Sequence, residues 1–169
     1  MAQGITLRAA HIDDLQILLH WDKQQHVIDA DPDDDWDWAH ELRQFPKWRE
    51  QLMAELDGRP LGFIQIIDPY LEDTHYWGEI EQNLRAIDIW IGEQKDLNRG
   101  YGTEMMRQAI ERCFTPPEVT KVLIDPLVTN VKAIRFYERM GFEFVEHRDF
   151  EGSHCAVYQL KRSQWYRVQ

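Results

Sequence analysis

The chain has 169 residues, 43% of them hydrophobic, and carries 30 Asp and Glu against 19 Lys and Arg for a formal net charge of −11. That length and composition fit a single domain, residues 1–169, with a substantial core, and argue against global disorder. The acidic balance disfavours nonspecific nucleic-acid binding and favours a cationic partner, and no apolar run approaches the roughly 20 residues that cross a bilayer. Two cysteines, Cys113 and Cys155, make no disulfide framework. The start, MAQGITLRAAHIDD, lacks a basic segment leading into an apolar one, so no leader peptide is expected and the cytoplasm is the expected location.

In chain order, GITLRAA (4–10) reads as a short strand. DDLQILLHW (13–21) reads as a helix with Asp13 at its N-cap, because Leu15, Leu18, Leu19 and Trp21 recur near helical spacing. Seven acids then fall between Asp29 and Glu41, either a solubilising surface or a site for cations. WDWAHELRQF (36–45) predicts a second helix ended by Pro46, and residues 48–68 predict two strands around Asp57-Gly58. The acid- and aromatic-rich stretch 69–85 is read as a functional loop. AIDIWIG (86–92) is a strand with one carboxylate inside it, followed by a helix over 102–114 and a strand over 121–126. That order predicts a right-handed parallel crossover within a mixed sheet. A helix over 130–142 ends at Gly141, and two strands around Gly152 close the chain.

The sharpest local signal is NRGYGT, residues 98–103, just before the amphipathic pattern of Met105, Met106, Ala109, Ile110 and Cys113. The first N–H groups of a helix have no partner within it, and with the helix dipole they attract anions. Glycine leaves no Cβ in the way of a phosphate, and Arg99 adds a formal charge. These residues predict a pyrophosphate cradle, the alternative being a plain loop entering a helix. The G-K-[ST] of a P-loop is absent, and Met105 stands where a dinucleotide fingerprint needs its third glycine.

With its downstream partner the cradle resembles the Gcn5-related N-acetyltransferase (GNAT) superfamily. That family has a strand, a loop [RQ]-x-x-G-x-[GA], a helix, a strand, and a helix carrying Asn and Tyr before Gly-Phe. Here these read AIDIWIG, LNRGYG, KVLIDP and NVKAIRFYERMGF, with Leu97 departing at the first loop position. RAIDIWIG, RGYGTEMM and DPLVTNVKAIRFYE look like the aminoglycoside 6'-N-acetyltransferase branch. The resemblance implies an α/β (α+β) fold: a mixed, mostly antiparallel twisted sheet with a parallel, splayed central strand pair and helices on both faces. It implies acetyl-CoA as cofactor, a cationic small-molecule amine as substrate, no nucleic-acid or membrane partner, and a monomer or homodimer. Implied cofactor contacts are Ile89, Trp90 and Ile91 of the strand, Asn98, Arg99, Gly100, Tyr101, Gly102 and Thr103 of the loop, and Asn130, Ala133 and Tyr137 of the second helix.

An amine at neutral pH is protonated and must lose a proton before it attacks a thioester. Asp88, flanked by Ile87 and Ile89, is a desolvated base in waiting or a carboxylate that binds substrate or an arginine. The branch resemblance implies the base. Tyr137 lies seven residues after Asn130; by resemblance it sits beside the cofactor sulfur, where a phenol of pKa ~10 can protonate a thiolate, and otherwise it is core. Asp125 is implied in substrate binding or is a turn cap. Asp73, Tyr76, Trp77 and Trp36 are loop candidates for substrate contact, both tryptophans reading equally as core or rim. No metal site is read among the seven histidines. Cys113 on the buried stripe and Cys155 in a strand argue for direct transfer over a cysteine acyl-enzyme.

Overall fold

The computed structural model describes residues 4–167; the first three residues of the segment read for a leader lie outside them. Strands β1 (Ile5–Ala9), β2 (Arg49–Leu56), β3 (Arg59–Ile67), β4 (Leu84–Ile91), β5 (Lys121–Ile124), β6 (Glu143–Phe150) and β7 (Ser153–Lys161) form one sheet in the order β1-β2-β3-β4-β5-β7-β6. The chain folds as two compact units, each built from two stretches. One comprises Met1–Ile66 and Asp88–Ala109, the other Ile67–Ile87 and Ile110–Gln169.

In the first unit β1 pairs antiparallel with β2, Leu7 opposite Ala54. Asp57 and Gly58 both have positive φ, 51° and 85°, the conformation that a two-residue turn between β2 and β3 demands. Three helices follow β1: α1 (Leu15–Trp21), α2 (Gln25–Ala30) and α3 (Trp38–Glu41). Asp13 is not the cap expected of it. A 3₁₀ turn, Ile12–Asp14, precedes α1, and His11 and Asp14 form the reciprocal capping pair. Arg8 decides this, because it grips Asp14 at 2.7 and 2.9 Å and leaves that carboxylate to accept from the His11 N–H.

The helix expected over 36–45 shrinks to one turn, α3. Arg49 donates to the Glu41 and Gln44 carbonyls at 3.3 and 3.4 Å, partners from outside the helix that take the place of further helical turns. α2 escaped the sequence pattern because it buries none of its residues. The core of this unit gathers Leu18, Trp21, Trp38, Leu42, Met53 and Phe63, with Trp36 and Trp90 packed against them. Each such side chain contributes ~1.5–3 kcal/mol by leaving water. α4 (Tyr101–Phe114) buries the stripe expected of it, with Met105, Met106, Ala109 and Ile110 at 0% exposure.

In the second unit β4 and β5 are parallel, as the crossover requires, but the ladder covers only Leu84–Ala86 against Lys121–Leu123. β4 runs on to Ile91. β5 then pairs antiparallel with β7, and β7 with β6. α5 (Val131–Arg139) starts at Asn130, and Gly141 follows it at φ 102°. A last helix, α6 (Arg162–Arg167), was not expected. Its Arg162 donates to the carbonyls of Phe114, Pro116 and Val119, pinning the turn between α4 and β5.

Candidate active site

β4 carries Asp88, the carboxylate expected to act as base. There the strand turns its side chain to solvent, between the buried Ile87 and the half-buried Ile89. Accessible as it is, Asp88 is enveloped by enough protein for desolvation to be the largest influence on it, and its pKa rises to about 6. Gln65 on β3 opposes that rise by donating from Nε2 to Asp88 Oδ2 at 3.1 Å, while the charge of Asp31 adds to it. A carboxylate of this kind is ionised at neutral pH and close to the proton affinity that base catalysis needs.

The acidic segment belongs to the same unit. Desolvation, with the charges of Asp31, Asp22 and Asp35, pushes Asp34 up to about 6 against a hydrogen bond from the Trp36 N–H, and desolvation also raises Asp22 and Asp31, although Asp31 and Asp34 stay exposed at the surface. Trp36, read as a substrate contact, instead packs on the core, 5.1 Å from Trp38 and 6.4 Å from Phe63 between ring centroids. It remains half-buried.

The loop before α4 has the geometry an anion needs. Asn98 and Gly100 adopt left-handed φ of 59° and 83°, and a Cβ built on Gly100 meets nothing within 4 Å. The chain then enters α4 at Tyr101, so Gly102 and Thr103 fall in its first turn, where N–H groups have no helical partner. Open space beside free donors fits a diphosphate. Arg99 lies on this loop with its Nε donating to the Lys95 carbonyl at 2.8 Å. The loop is anchored by a pair the sequence did not reveal. Asp96, 3% exposed, receives both guanidinium nitrogens of Arg59 at 2.9 and 3.0 Å, and Arg59 holds its pKa down. Such bidentate charge-assisted pairs fix geometry as well as energy.

Along β4, Ile89, Trp90 and Ile91 are half-buried. The carbonyl of Ile91, one of the implied cofactor contacts, lies 2.8 Å from His26 Nε2. The backbone approaches β3 so closely that a Cβ on Gly62 would sit 2.4 Å from the Trp90 carbonyl oxygen. A lone glycine in an apolar strand was the available signal for that approach.

In the second unit, Asp125 follows β5 and accepts from the Tyr76 hydroxyl at 2.6 Å. Tyr76 stacks on Phe150, 4.6 Å and 10° apart, and Arg148 lies over the other ring at 4.9 Å from the Phe150 centroid. Glu72, missed in the sequence, builds the turn: its carboxylate accepts from the Thr74 hydroxyl and from the Thr74 and Tyr76 N–H groups at 2.6, 3.1 and 3.0 Å. Burial pushes Glu72 up, but those hydrogen bonds outweigh it and leave its pKa below the usual value. Trp77 is 3% exposed and packs edge-on against Phe150, so it is a core residue here and not a substrate contact. Asp73 stands exposed on the same loop. At α5, Asn130 accepts from the Ala133 N–H at 3.3 Å, which makes Asn130 the N-cap of the helix and gives the Ala133 N–H its partner. Tyr137, 9% exposed, packs against Phe136 and Phe142.

Among the described residues, no group of three His, Cys, Asp or Glu side chains can hold a metal ion, and no helix is long and apolar enough to cross a membrane. Cys113 and Cys155 are both buried.

Residues 11–150 match the model of the acetyltransferase (GNAT) domain. The chain is 30% identical over 155 residues to aminoglycoside N(6')-acetyltransferase type 1 of Klebsiella pneumoniae, covering 83% of this chain and 74% of that one. The solved structure of AAC(6')-Ib with paromomycin and acetyl-CoA superposes with a TM-score of 0.86 at 27% identity, over 99% of this chain and 98% of that one. A spermine/spermidine N(1)-acetyltransferase of Bacillus subtilis is 26% identical over 85 residues, half of this chain and 56% of its own length.

Proposed function

The chain belongs to the GNAT acetyltransferase family, and from that premise we propose that it transfers acetyl from acetyl-CoA to the 6'-amine of aminoglycosides, conferring resistance to them. The observation that carries the reading is the company Asp88 keeps. Its carboxylate is open to solvent yet desolvated, and the charge that acts on it is another acid, Asp31. Asp22, Asp31 and Asp34 are likewise raised. Carboxylates held this way are stabilised by an incoming polycation, and aminoglycosides carry several ammonium groups.

Acetyl-CoA, when bound, supplies an acetyl group activated as a thioester. The N–H groups at the start of α4, with Gly100 and Gly102 leaving room, hold its diphosphate. Asn98, Arg99, Tyr101 and Thr103 line that grip, and the backbone of Ile89 and Trp90 offers donors to the carbonyl oxygen. Asp88 takes a proton from the substrate ammonium, directly or through a water, and frees the lone pair for attack. Tyr137 returns a proton to the departing sulfur. Asp125, oriented by Tyr76, binds a further ammonium or hydroxyl of the substrate. A cytoplasmic location, where acetyl-CoA is made and used, suits this reaction.

The same acidic cluster suits a polyamine, the second reading. Thiol release from acetyl-CoA across a panel of amines separates them. Turnover with kanamycin-type compounds bearing a 6'-amine, and none with 6'-hydroxyl analogues, is expected. Turnover confined to spermine and spermidine supports the second reading, and cofactor binding without turnover on any amine overturns both.

A further inference from the structure

Every position of β3 from Leu61 to Ile67 is buried, and among its apolar side chains stands one amide, Gln65. Burying an amide without partners costs free energy, so its hydrogen bonds define what it is for. At 6% exposure Gln65 donates from Nε2 to Asp88 Oδ2 at 3.1 Å. Its Oε1 accepts from Gln51 Nε2 at 3.4 Å. Gln51, Gln65 and Asp88 stand on β2, β3 and β4, which are neighbours in the sheet, so the three side chains form one row across three strands.

We propose that Gln65 is a positioning residue for the acetyl-transfer base: it holds Asp88 by Oδ2 and leaves Oδ1 to take the proton of the substrate amine, while Gln51 fixes which way the Gln65 amide faces. The inference rests on the reading of Asp88 as base. An ionised carboxylate only accepts, so the amide must present its NH₂ to it; the flipped amide would set oxygen against oxygen. Gln51 offers a donor to the other end and makes the flip unfavourable. One carboxylate oxygen is thereby committed. The proton leaving the ammonium nitrogen arrives at the other, and the Gln65 bond persists through the transfer without reorientation. The charged group acting on Asp88 from beyond the sheet is Asp31, which follows α2 and favours the protonated acid. Gln65 opposes it.

Without the amide, the carboxylate turns freely and loses a donor that favours its ionised form. The test uses Gln65→Met and Gln51→Met in the full chain. The Asp88 carboxyl is titrated by ¹³C NMR in the ligand-free protein, and kcat/KM is followed against pH with acetyl-CoA and the best amine of the panel. Gln65→Met is expected to move the Asp88 midpoint upward by about one pH unit, to move the acid limb of kcat/KM with it, and to lower kcat by about tenfold. The KM for acetyl-CoA should stay within about twofold. Gln51→Met should shift both curves the same way by less. An unmoved Asp88 midpoint in Gln65→Met overturns the proposal, as does a moved midpoint with an unmoved acid limb. If Gln65→Met does not fold, Gln51→Met, which leaves β3 intact, is read by the same two arms. The titration needs no substrate, so a failure of the amine assignment appears in the panel and not in the midpoint.

Discussion

Four acids of the first unit, outside its Arg8–Asp14 and Arg59–Asp96 pairs, and three of the second are handled in opposite ways. In the first, Asp22, Asp31, Asp34 and Asp88 are desolvated and pushed toward the protonated form, and Asp31 acts through its charge on both Asp34 and Asp88. In the second, Glu72 collects three donors from its own turn, Asp68 pairs with Arg85 at 3.3 Å, and Asp125 accepts from Tyr76. One set keeps its charge in an unfavourable setting, which suits proton transfer and cation capture; the other meets donors that fix where each carboxylate stands. Frustrated charge suits chemistry, and partnered charge suits scaffold or, at Asp125, a ligand held in a fixed direction.

Asp88→Asn breaks the first side of that contrast most sharply. Its turnover should fall by about 10²–10⁴ with coenzyme A affinity nearly intact, measured by thiol release and by titration calorimetry. Activity in the native protein should decline as pH falls through about 6, because protonated Asp88 no longer accepts the amine proton. Tyr137→Phe should cost about 10–100-fold in kcat, again with little change in cofactor affinity; unchanged turnover would remove its acid role. On the satisfied side, Tyr76→Phe removes one hydrogen bond to Asp125 and should raise the KM for the amine several-fold, with kcat nearly unchanged.

The smallest effect concerns stability. Asp88 titrates near 6 when folded and at ~3.9 when unfolded, so the folded state binds the extra proton and stability falls as pH rises from about 4 to 6. Asp88→Asn abolishes that loss. Discounted for solvent exposure, the variant should melt about 1–2 °C higher than the native protein at pH 7 and no higher below pH 4. A lower melting point at pH 7 would mean that ionised Asp88 stabilises the fold.

The parts of the fold that repeat with a period were legible. α4 announced itself by Met105, Met106, Ala109 and Ile110, and the β2–β3 turn by Asp57-Gly58, because burial and backbone torsion act through neighbours in sequence. Long-range partners were not legible. Arg8 reassigned the cap from Asp13 to Asp14, Arg49 ended α3 early, and α2 carries no apolar stripe to betray it. Asp88, Tyr137 and the NRGYGT loop are site candidates drawn from motif and resemblance. Trp77 stayed open between core and substrate rim, because an aromatic on a loop looks the same in sequence whether its ring faces solvent or, as here, Phe150. Gln65, Glu72 and the Arg59–Asp96 pair stayed hidden, although a single amide within the apolar run LGFIQII was a readable sign that something polar had to meet it.

The Arg59–Asp96 clamp also separates two tasks that a helix start usually combines. The turn ahead of the NRGYGT loop is tied down from β3, so its position does not rest on the outward side of α4 alone. Charges exchanged on the exposed face of α4, where Arg107 holds Glu104 at 2.7 and 2.9 Å, would disturb that pair and leave the mooring from the strand in place.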